Sequence, residues 1–62
     1  MRTIKGSELE HGSTIKICES ATNPITVETA TVVDGEVYLD VLDIFGRHWW
    51  LPFPVNHLFI VA

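Results

Sequence analysis

Hydrophobic and polar residues alternate with a period of two along most of the chain, the spacing of half-buried strands rather than helices. Ile15 and Ile17 alternate with Thr14, Lys16 and Cys18, predicting a strand over 14–18. Residues 25–33, rich in Thr and Val, predict a second; branched side chains suit a pleated surface and resist helix. Asp34-Gly35 follows, a compact hairpin turn and the strongest local signal in the chain. In the third strand, 36–42, Val37, Leu39 and Val41 share one face, while Tyr38, Asp40 and Leu42 share the other. The charge on Asp40 puts the first set inward. Asp43-Ile44-Phe45-Gly46 predicts a second turn, 47–51 a fourth strand and 58–61 a fifth.

The remaining segments connect these strands. Thr3-Ile4-Lys5 leads in, and Ser7 with Glu10 three residues later matches a capping box heading one helical turn before Gly12. Leu9 is its inward residue. Residues 19–24 form a polar loop ended by Pro24, Pro52-Phe53-Pro54 a proline-bracketed loop, and Val55-Asn56-His57 a tight turn. The expected architecture is all-β: a small five-stranded, partly open SH3-like barrel with one short helical turn, filling a single domain over 1–62. A small OB-type or meander sheet is the alternative.

Size makes every large side chain matter. A 62-residue domain buries only ~60% of the surface its unfolded chain exposes. Hydrophobic residues make up 47% of this one, which leaves apolar surface open or covered by a partner. Cys18 is the single cysteine, so no internal disulfide forms; a reduced, cytoplasmic setting is expected. No stretch reaches the ~18 apolar residues of a membrane span, and the start lacks a signal peptide's apolar run.

The net charge of −4 divides unevenly. Residues 1–31 carry three basic and four acidic side chains, and residues 32–62 carry one and four. A nucleic-acid surface needs a concentrated positive footprint, which is missing. Metal and catalytic chemistry fare no better. His11, Cys18, His48 and His57 are 7, 30 and 9 positions apart in chain order, unlike the close pairs of structural zinc sites. Cys18 with a histidine is the one nucleophile–base pair on offer, and a chain this small has little volume for a substrate pocket. The four glycines are isolated, so no phosphate-cradling loop exists. No cofactor, metal or enzymatic activity is expected.

What stands out is Ile44-Phe45-Gly46-Arg47-His48-Trp49-Trp50-Leu51-Pro52-Phe53-Pro54, holding four of the six aromatic residues. Alternation places Arg47, Trp49 and Leu51 on one face and His48 and Trp50 on the other. Trp49 and Leu51 are the expected core pair, with Arg47 leaning out to water. Trp50 either packs under the 52–54 loop or joins the hairpin tip, where Ile44 and Phe45 are apolar at a position normally polar.

The order Ser7-Glu8-Leu9, Gly12, Val33-x-Gly35-x-Val37 and Gly46-Arg47-x-Trp49-x-Leu51-Pro52 resembles small SH3-like barrel modules of actinobacteria and their phages. These relate to the KOW-like N-terminal domain of elongation factor P. The resemblance implies a barrel fold and a small phage or bacterial accessory protein. The departures are the apolar tip and the lack of that domain's functional lysine, so a translation role does not carry over. The expected function is protein binding, on a larger host or virion protein or on a second copy of the chain. The expected contact residues are Ile44, Phe45, Trp50, Tyr38 and Phe53, with Arg47 and His48 at the rim. A nucleic-acid- or ribosome-associated regulatory barrel is the alternative.

Overall fold

A computed structural model of the chain describes residues 2–18, 20, 21 and 23–62. Among them six strands form one antiparallel sheet: β1 (Thr3–Lys5), β2 (Thr14–Lys16), β3 (Ile25–Val33), β4 (Glu36–Leu42), β5 (His48–Pro54) and β6 (Leu58–Val61). A single 3₁₀ turn, Gly6–Glu8, follows β1. The strand order is β1-β6-β2-β3-β4-β5, with β1 and β5 at the edges, and the sheet is not closed into a barrel. The all-β class and the short helical turn are as expected; the strand count is six rather than five, because the lead-in Thr3–Lys5 pairs with β6.

Although β5 and β6 lie far apart in strand order, the Phe53 and Phe59 rings meet edge-on with centroids 5.0 Å apart. The sheet therefore curls until its two halves share one core. Phe59, Ile15, Leu39, Val27, Val37 and Val41 are fully buried there, and Leu9 closes it from the 3₁₀ side. The inward set Val37, Leu39 and Val41 matches the alternation. Gly6 N–H donates to the His57 carbonyl, extending the β1–β6 ladder, and Ser7 N–H donates to the carbonyl of Val55, just beyond β5, where the two edges approach.

The curl has a local cause in β3. Val27 pairs with Val41 and Thr29 with Asp40, so Glu28 is an extra residue, a bulge that bends the strand. The Glu28 carbonyl, turned out of the ladder, accepts from His11 Nδ1 at 2.8 Å. At the β3–β4 hairpin Asp34 and Gly35 both have positive φ, as a two-residue turn matching the strand twist requires.

Three details depart from the sequence reading. The strand expected over 14–18 ends at Lys16, because the Ile17 carbonyl accepts from His57 Nε2 rather than from a neighbouring strand. The helical turn starts at Gly6, with Glu8 Oε1 accepting from Lys5 N–H in place of the Ser7–Glu10 pair. The Pro52-Phe53-Pro54 segment is not a loop but the second half of β5, where an edge tolerates proline. Of the polar loop 19–24, Glu19 and Thr22 lie outside the described residues. The turn at 55–57 forms as expected, closed by His57 N–H donating to the Pro54 carbonyl.

Candidate docking face and hairpin tip

Two clusters carry the exposed aromatic surface, one on β4 and β5 and one at the turn between them. On the outer face, the one turned from the core, Trp50 stands beside Tyr38 of β4. Their rings stack with centroids 5.1 Å apart and planes 21° from parallel. Trp50 remains 67% exposed, so the stack leaves most of the indole in water. With Thr29, Thr31 and Val33 of β3, the pair lines an open groove of about 410 Å³. Glu36, two residues away on the same face, raises the Tyr38 phenol's pKa above its ordinary value by hydrogen bonding and by its charge. At the other end Asp40 Oδ1 lies 3.6 Å from His48 Nδ1. The groove is therefore aromatic at its centre and acidic on its β4 side.

The second cluster is the β4–β5 tip, built around Asp43. Its Oδ1 accepts from Phe45 N–H (2.8 Å) and Arg47 N–H (3.0 Å), and its Oδ2 from Trp49 Nε1–H (2.8 Å). The indole hydrogen bond is the largest of the influences that hold the Asp43 carboxyl below the ordinary range, followed by the bond from Arg47. Gly46 takes positive φ at the reversal. The side chains around this fixed turn are open: Phe45 is 69% exposed and Ile44 56%. The Arg47 guanidinium lies over the Phe45 ring, 5.3 Å from its centroid.

The expected contact residues thus divide three ways. Tyr38, Trp50 and His48 share the outer face; Ile44, Phe45 and Arg47 share the tip. Phe53 joins neither. Paired with the fully buried Val37, it faces the core, its ring 5.0 Å from those of both His57 and Phe59. The packing of Trp50 under 52–54 does not occur, since that segment is strand and the indole stacks on Tyr38.

Trp49 is the main correction. Alternation assigned it to the inner face, and its pairing with Val41 agrees, yet it is 47% exposed rather than a core anchor. It stands near the start of an edge strand, where none of the described residues closes that end of the face over it. The expected link between Trp50 and the tip is made instead by Trp49, through Asp43. A signal was present: an indole N–H in a hairpin needs an acceptor, and Asp43 precedes it by six residues.

The three histidines go to separate places. His11 binds the β3 bulge, His48 stands beside Asp40, and His57 donates to Ile17 while its ring packs between Phe53 and Phe59. Among the described residues no group of three or more His, Cys, Asp or Glu side chains converges, and no helix is long and apolar enough to cross a membrane. No protein-family model and no curated protein matches the chain.

Proposed function

We propose that this chain is a non-enzymatic protein-binding module that docks on a larger protein through the Tyr38–Trp50 face and the Ile44–Phe45 tip. The observation that carries the reading is the solvent-open Tyr38–Trp50 stack lining an open groove. Trp, Tyr and Arg are the side chains most enriched where binding energy concentrates. Here they stand on rigid strands and a hydrogen-bonded turn, so little ordering entropy opposes association. Arg47 and His48 form the polar rim, and the acidic β4 side biases partner choice. The setting we assign is the reduced cytoplasm, and the role that of a small phage or bacterial accessory protein acting on a host or virion component.

Affinity capture on the immobilised chain tests this. Trp50→Ala and Phe45→Asp are expected to abolish capture while leaving the melting transition in place, because both side chains are largely exposed. Capture unchanged by both variants overturns the docking reading. Stacked aromatics also suit single-stranded nucleic acid, but Glu36 and Asp40 repel phosphate. A complex that weakens steeply with added salt favours the nucleic-acid reading; an apolar contact hardly responds.

A further inference from the structure

The free edge of β5 carries a separate signal. Asp43 N–H donates to the Arg47 carbonyl at one end of the β4–β5 ladder, and Val55 N–H to the Gly35 carbonyl at the other. Bonded pairs alternate along an antiparallel ladder, so those between are Val41/Trp49, Leu39/Leu51 and Val37/Phe53. The main-chain groups of His48, Trp50, Pro52 and Pro54 consequently point away from β4, toward open solvent. Two of these four have no N–H. The prolines blunt the second half of the edge, a common protection against strand addition. The first half keeps its donors, at His48 and Trp50, and has no lysine or bulge to guard it.

We infer that this half-edge is a self-association site, at which β5 pairs antiparallel with β5 of a second copy about a two-fold axis through Trp49. Pairing His48 with Trp50 of the second copy, and the reverse, is the register in which the N–H and C=O of both residues all find partners. Pro52 then falls opposite Gly46, whose own N–H is already given to the Asp43 carbonyl, so neither side strands a donor. Trp49 falls opposite itself in a non-bonded pair, with Cα atoms about 4.5 Å apart. Its half-exposed indole thereby gains the cover that its own chain does not provide.

The occupant is a second copy rather than an endless file of copies because the other edge, the three-residue β1, offers less to pair: only Thr3 has both main-chain groups outward and uncommitted. Val61 N–H donates to the Arg2 carbonyl and Gly6 N–H to that of His57, which leaves Thr3 and Lys5 as the outward positions of β1. Of these, Lys5 N–H is taken by Glu8 Oε1. With one favoured edge per chain, the contact is isologous and closes at two. The axis is perpendicular to the sheet, so both outer faces stay on one side. The two Trp50 residues then stand diagonally, about 7–8 Å apart.

Sedimentation equilibrium over a concentration series tests the inference. The wild-type chain is expected to reach the mass of two copies. His48→Ala, which keeps the main-chain N–H, retains the dimer. His48→Pro removes an outward N–H at a position equivalent to those of Pro52 and Pro54, and weakens association by roughly tenfold or more, since two bonds are lost per dimer. Amide exchange at Trp50 in the wild-type chain should slow as concentration rises, a readout that depends on no variant. The mass of one chain at every concentration, or a His48→Pro dimer as tight as that of His48→Ala, overturns the proposal. Neither readout involves a foreign partner, so failure here and failure of the docking reading are separate results.

Discussion

Phe59 and Trp49 are both large aromatics on the inner face of one sheet, yet Phe59 is 0% exposed and Trp49 47%. Phe59 lies on β6, flanked by β1 and β2, and rings from β5 and the 55–57 turn close over it. Trp49 lies on the edge strand near the hairpin reversal, with one strand beside it and, among the described residues, no segment closing over it. One end of the face is held by apolar burial, the other by hydrogen bonds around a single carboxylate. The face a strand residue takes follows from parity; its burial follows from strand order and from what the chain folds over it.

The sharpest way to break that contrast is at its closed end. Phe59→Ala is expected to cost ~3–5 kcal/mol, as truncation of a fully buried aromatic does, and in so small a domain that removes most of the stability. Urea denaturation measures it; a loss below about 1 kcal/mol would mean that the two halves of the sheet do not share a core. Adding volume at the same end is the next largest change. A Cβ on Gly6 would lie 2.7 Å from Val37 Cγ1, itself fully buried, so one of the two must move. Gly6→Ala is expected to destabilise by about 1–3 kcal/mol, read in the same titration.

Trp49→Ala is where the two ends separate. Half of the side chain is already in water, so the apolar loss is about 1–2 kcal/mol rather than the full cost of a core tryptophan. Trp49→Phe keeps most of the apolar area and removes the Nε1–H donor to Asp43, so the difference between the two variants apportions the effect. A Trp49→Ala loss equal to that of Phe59→Ala would show the open end to be closed in solution.

These residues also mark how far the sequence was legible. Period-two alternation and Asp34-Gly35 located the long hairpin and its inward set because both signals are local. The lead-in Thr3–Lys5 was missed as a strand because its partner, β6, lies more than fifty residues away, and three residues carry no period of their own. The two prolines suggested a loop, since their tolerance in β5 depends on its being an edge, which strand order alone decides. For the same reason Trp49 was placed on the correct face at the wrong depth. Of the candidate contacts, Tyr38, Trp50, Ile44 and Phe45 followed from parity or turn position. Phe53 did not, because reading 52–54 as a loop discarded the alternation that puts it inward.

The smallest expected effect is the acid response of the open end. Bonds from the Trp49 indole and from the Arg47 and Phe45 amides favour the charged form of Asp43, holding its folded pKa below the ordinary 3.8. A carboxyl depressed in the folded state contributes stability that is present above its unfolded pKa and is lost as pH falls through the folded one. The tip should therefore be unaffected at neutral pH and loosen below the ordinary carboxylate range. The group is only partly buried at the surface, so screening by water and salt keeps the contribution small. Asp43→Asn retains an oxygen for the two amides but replaces the indole's acceptor with a donor. It should flatten this part of the acid limb and shift the Trp49 indole N–H resonance at neutral pH. The wild-type resonance should reach a similar position only as Asp43 protonates, while Phe59 ring signals stay in place until global unfolding. If the Phe59 signals move together with the indole, the two ends open as one unit and the contrast between them is lost.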